Sequence, residues 1–96
     1  MLYVNVTYTL PRANRDAFVA DVLGQNIPEL TRQEYGNHAY DFSIPVEHDD
    51  TVYLREIWDD DAFEKHKTSA NIQKLAAMKQ KYQIETKIVI SHFDQD

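Results

Sequence analysis

Two histidines, a tryptophan and a glutamate stand where this chain could do chemistry. His66 falls three residues after Phe63 and four after Ala62 in "DAFEKHK", so it shares the apolar face of a helical pattern. An unperturbed imidazole titrates near ~6.5, which suits a general base at neutral pH. His38 alternates with Tyr40 and Phe42 in "NHAYDFSI", a pattern that directs all three to one side of an extended segment. Leu54, Glu56 and Trp58 likewise share one face of "TVYLREIW". A carboxylate among apolar neighbours must be paired, hydrogen-bonded or shifted in its ionisation, and Arg55, on the opposite face, is not its partner. These residues predict an apolar pocket walled by Tyr40, Phe42, Leu54 and Trp58, with Glu56 as its polar group and His38 or His66 as its base. They also read as core, with a packed indole donating to a carbonyl and a histidine satisfied inside.

The elements that must position them follow from periodicity. "LYVNVTYTL" (Leu2 to Leu10) is a strand rich in β-branched and aromatic residues, ended by Pro11. Phe18, Val19, Val22, Leu23, Ile27 and Leu30 form a helical stripe that Gly24 and Pro28 divide into two pieces, and Gly36 marks the helix end. Asn37 to Ile44 and Thr51 to Trp58 are strands two and three, joined by the polar "PVEHDD". Asp59, Asp60 and Asp61 then open a helix, Asp61 with Glu64 fitting a capping box, so they are read as end charges and not as a reaction centre. After a break at Lys67 to Ser69, Ile72, Leu75, Ala76 and Lys79 continue a second helical segment, Ile84 to Phe93 is the last strand, and "DQD" is a solvated tail. The order β-α-β-β-α-β predicts a ferredoxin-like α+β domain over residues 1–96, its four-stranded antiparallel sheet covered by helices on one face. Each alternating strand set reads as too apolar to face water, so the bare sheet face is expected to pair with a second copy in a homodimer.

Composition sets limits. A formal net charge of −6 with no cluster of Lys or Arg argues against nucleic acid and anionic membrane surfaces as partners. Without cysteine there is no disulfide framework and no thiolate nucleophile. The alternating start after Met1 is neither a signal peptide nor a span, which makes a cytoplasmic location the expectation. His48 and His92 stand apart, no His/Asp/Glu set has metal-ligand spacing, and two glycines supply no phosphate-binding loop, so neither metal nor cofactor is expected.

The stretches "QEYGNHAYDF" and "YLREIWDDDAFEKHKTS" resemble the antibiotic-biosynthesis monooxygenase family of dimeric α+β barrels. The family pattern of an acid, a glycine, a tyrosine, then Glu-x-Trp with a histidine eight residues beyond falls here on Glu34, Gly36, Tyr40, Glu56, Trp58 and His66. Quinol-oxidising relatives carry a similar Gly-x-His-x-Tyr run, here Gly36, His38 and Tyr40, and Asn5 stands where haem-degrading members carry a strand-one asparagine. The resemblance implies a cofactor-independent monooxygenase that uses dioxygen on a small hydroquinone-like aromatic, with Glu56 or Asn5 fixing a substrate oxygen. A non-catalytic dimer binding an aromatic ligand or haem, or an isomerase of the autoinducer-2 processing type, are the alternatives. Asn71, where many relatives have a second histidine, counts against the isomerase.

Overall fold

The computed structural model describes residues 1–93; the closing "DQD", read above as a tail, lies outside the described residues. The elements are β1 (Leu2–Thr9), α1 (Arg12–Gly24), α2 (Ile27–Arg32), β2 (Asn37–Ser43), β3 (Thr51–Trp58), α3 (Ala62–His66), α4 (Ala70–Lys81) and β4 (Glu85–His92). The strands form one antiparallel sheet in the order β2-β3-β1-β4.

In antiparallel register, opposed residues share a face. Leu2, Val4 and Val6 of β1 lie opposite Trp58, Glu56 and Leu54 of β3, and this set is buried under the helices. The apolar half of each strand therefore makes the core, joined by Phe18 and Val22 of α1 and by Leu75 and Met78 of α4. The break between α1 and α2 follows from local chemistry. Asn26 takes a left-handed φ of 59°, and Pro28 sits in the first turn of α2, where no intrahelical donor is needed. The rotation at Asn26 resets the buried stripe to Ile27 and Thr31, spaced i and i+4, and turns Leu30 outward. Downstream, the Ser69 hydroxyl accepts from the Ile72 N–H at 3.2 Å and caps α4.

One expectation is corrected. Asp61 makes no cap hydrogen bond, because its own backbone is already helical (φ −87°, ψ −12°); its carboxylate accepts instead from the Tyr35 hydroxyl at 3.0 Å. The open sheet face is mixed: Asn5, Thr7, Asp41 and Arg55 share it with Tyr3, Tyr53, Ile57 and Val89, and the Arg55 guanidinium donates to Asp41 at 2.9 Å and to the Tyr3 hydroxyl at 3.2 Å. Uncovered apolar surface lies on the edge strand β4, where Ile88, Val89 and Ile90 are about half exposed because the strand is uncovered on both faces. No described helix is long and apolar enough to cross a membrane.

Candidate active site

At the C-terminal end of β3 the chain buries more polar chemistry than a core needs. Trp58, Glu56, Tyr40 and His66 are all at most 5% exposed. The Trp58 Nε1–H donates to Glu56 Oε1 at 2.9 Å, which answers how a carboxylate survives on this face. The two residues sit two apart on one strand, so their side chains leave the sheet side by side.

His66 closes α3 and lays its ring on the indole, with centroids 4.5 Å apart and planes 29° from parallel. Tyr40 meets the imidazole edge-on at 6.1 Å. Its Nδ1 lies 2.9 Å from Glu34 Oε1, in the turn between α2 and β2, and the Asn71 amide of α4 donates to Glu34 Oε2 at 2.8 Å. On the other side Nε2 stands 3.8 Å from Glu56 Oε1, too far for a hydrogen bond, and has no hydrogen-bonding partner among the described residues. The Thr31 hydroxyl is likewise buried without a partner, close to the Tyr40 phenol but without hydrogen-bond geometry. Unpaired buried polar atoms are rare and costly, on the order of 1–3 kcal/mol each.

The electrostatics follow from burial. Desolvation raises the Glu56 carboxyl above the ordinary carboxylate range, opposed by the Trp58 N–H, the His66 ring and Lys79. Burial also pushes the Tyr8 and Tyr40 phenols far up, so both stay protonated at any ordinary pH. Lys79 of α4, its ammonium 5.4 Å from the centre of the Tyr8 ring, is lowered by desolvation while Glu56 pulls it back up.

The structure thus gathers four of the residues singled out in the sequence: Tyr40, Glu56, Trp58 and His66. Leu54 packs beneath them as core, and Phe42, edge-on to Tyr40 at 5.6 Å, is half-buried beside them. It also lines an apolar cleft of about 190 Å³ with Val19, Leu23, Ile44 and Val52. Two residues are not brought in. Strand alternation predicted His38 beside Tyr40, but a bulge between Asn37 and Ala39 breaks the alternation, and His38 is exposed with Nε2 2.8 Å from Asp59 Oδ1. Asn5 points from the open face of β1, opposite Arg55, with the sheet between it and Trp58. Sequence reasoning missed Thr31, singled out Asn71 only as a departure from the family, and gave Glu34 no partner. Their only local signals are the closeness of Glu34 to Gly36 and the i, i+4 spacing of Thr31 from Ile27.

Gly36 explains why that turn is tight. Its φ is +74°, and a Cβ there would collide with that of Ala62. The Asp59 N–H donates to the Gly36 carbonyl at 2.8 Å, tying the Glu34 turn to the end of β3.

Residues 1–78, which include every member of this cluster, match the family profile described as antibiotic biosynthesis monooxygenase. The chain belongs to that family. No curated protein matches it in sequence. Among solved structures, a Pseudomonas aeruginosa protein is similar at 20% identity and TM-score 0.83, the alignment covering 98% of this chain and 94% of that one. A candidate antibiotic biosynthesis monooxygenase from Deinococcus radiodurans is similar at 17% identity and TM-score 0.81, with 100% and 95% covered. SnoaB from Streptomyces nogalater, a cofactor-independent oxygenase, is similar at 12% identity and TM-score 0.73, with 99% and 94% covered. Between this chain and these solved structures, then, the fold persists while most of the sequence changes.

Proposed function

We propose that this protein is a cofactor-independent monooxygenase acting with dioxygen on a small hydroquinone-like aromatic, with His66 as the base. One observation carries the reading: a buried imidazole stacked on Trp58, anchored through Nδ1, whose Nε2 has no partner. A base needs a free lone pair in a dry, aromatic-walled place, and Nε2 offers one. Loss of a phenolic proton to Nε2 leaves an electron-rich phenolate that gives an electron to dioxygen. Recombination forms a carbon–oxygen bond, and loss of water from the hydroperoxide leaves an oxygenated quinone. One oxygen atom thus enters the product and the other leaves as water, with no external reductant.

Glu56 and the Thr31 hydroxyl are the polar groups available to a second substrate oxygen, and the indole and Tyr40 are its apolar walls. In this reading the substrate enters by the apolar cleft of about 190 Å³ that Phe42, in edge-on contact with Tyr40, helps to line. That SnoaB, a fold relative, is a cofactor-independent oxygenase supports the same class of chemistry. The half-exposed Ile88, Val89 and Ile90 of β4 support a homodimer, since an uncovered apolar edge strand calls for a partner.

Oxygen uptake with menadiol tests the proposal. Uptake above buffer autoxidation, with one atom of labelled dioxygen in the product, is expected; a rate equal to autoxidation across several quinols refutes it.

The close packing around His66 supports a second reading, a dimer that binds an aromatic ligand in the α1–β2 cleft and does no chemistry. Saturable binding of menadione without oxygen consumption by menadiol would select it.

A further inference from the structure

Five groups face the His66 ring, Glu34 from the α2–β2 turn, Tyr40 from β2, Glu56 and Trp58 from β3 and Phe63 from α3, with Asn71 of α4 behind Glu34. Among the described residues, only Glu34 hydrogen-bonds the imidazole. A carboxylate has acceptor oxygens and nothing to donate, so a contact of 2.9 Å to Nδ1 requires that Nδ1 carry the proton. With Nδ1 protonated, the lone pair of the neutral ring is at Nε2, the atom facing Glu56 and Trp58.

We propose that Glu34, seated by Asn71, is the positioning residue that fixes the Nδ1–H tautomer of His66 and so makes Nε2 the basic nitrogen. Asn71 occupies the second carboxylate oxygen at 2.8 Å, leaving the first for the imidazole and preventing Glu34 from swinging toward solvent, to which its side chain is 19% exposed. The clamp ties the α2–β2 turn to α3 and α4, 32 and 37 residues further along the chain, and the Gly36 turn fixes its origin. Its part in turnover rests on the reading of His66 as the base; the tautomer does not.

The test is long-range proton–nitrogen correlation NMR on the ¹⁵N-labelled full chain near neutral pH. The His66 signals are identified among the four histidines by their loss in His66→Gln. The wild-type protein should show protonated Nδ1 and lone-pair-bearing Nε2. Glu34→Leu, which keeps the bulk and deletes the acceptor, should give a mixture of tautomers, and Asn71→Ala a partial shift the same way. Glu34→Gln, whose amide oxygen can still accept, should keep the Nδ1–H form and serves if Glu34→Leu does not fold. In menadiol turnover, Glu34→Leu should lower kcat by roughly 10²-fold or more while KM holds within about twofold, as when an orienting acid is lost from a catalytic histidine.

An Nε2–H tautomer in the wild-type protein overturns the proposal, as does an unchanged tautomer in folded Glu34→Leu. If the tautomer shifts as described but no quinol is turned over by the wild-type protein, the clamp stands and the oxygenase reading falls. Turnover by a protein whose His66 is the Nε2–H form gives the reverse.

Discussion

Replacing Trp58 by phenylalanine separates the two jobs of the indole. The ring is fully buried, and its Nε1–H lies 2.9 Å from Glu56 Oε1. Phenylalanine keeps much of the stack on His66 but deletes the donor and part of the volume. The lost volume should cost roughly 1–2 kcal/mol at any pH. The lost donor costs an amount that depends on the charge of Glu56. Burial raises the folded-state pKa of Glu56, so its contribution to stability is present below the unfolded-state value and is lost as pH rises through the folded one. Trp58 limits that loss by donating to the ionised form, and without it the loss extends to higher pH and ends larger. Hydrogen bonds to charged groups contribute about 1.5–3 kcal/mol and neutral ones about 0.5–1.5, so the cost of Trp58→Phe should grow by about 1–1.5 kcal/mol from acid to alkaline pH. Urea unfolding across the pH range gives these differences directly, provided the slope with urea is unchanged. Repeating the substitution in a Glu56→Gln background should abolish the growth. An equal cost at both pH limits, or the same growth in the glutamine background, refutes the assignment of that bond.

Three further outcomes are expected. Glu56→Gln should equal or exceed the wild-type protein in stability at alkaline pH, with the gain shrinking toward acid as the carboxyl protonates; chemical unfolding at the two limits shows it. Gly36→Ala should lose about 2 kcal/mol or more, since φ of +74° and the Ala62 contact oppose any Cβ, and a thermal melt reads the loss. His38→Ala should leave quinol turnover within about twofold, because the exposed ring pairs only with Asp59, a surface pair whose loss costs about 1 kcal/mol at most.

The strands were legible because alternation survives wherever a strand is covered on one face: Val4, Val6 and Leu54, Glu56, Trp58 are buried as their spacing predicts, and β3 keeps the predicted bounds Thr51 to Trp58. The resemblance carried by Glu34, Gly36, Tyr40, Glu56, Trp58 and His66 agrees with the family match over residues 1–78. Legibility failed where one residue breaks a period. The bulge at Asn37–Ala39 takes His38 out of the alternation and leaves it exposed, the left-handed Asn26 exchanges Leu30 for Thr31 in the core, and neither has an unambiguous local signal. Asn5 was placed by analogy, but the period of β1 already set it opposite Val4 and Val6. The Glu34–His66–Asn71 contact was beyond any local pattern, because 32 residues separate the first pair and 37 the second bond. On the open face, the central strands alternate as their spacing predicts, presenting Tyr3, Tyr53 and Ile57 beside Asn5, Thr7 and Arg55.

The claim that His66 takes the substrate's proton is tested most directly by menadiol-dependent oxygen uptake of His66→Ala beside the wild-type protein, each verified as folded by its circular dichroism. The account predicts that kcat falls roughly 10²- to 10⁴-fold in the variant. A folded His66→Ala that consumes oxygen at the wild-type rate would contradict it.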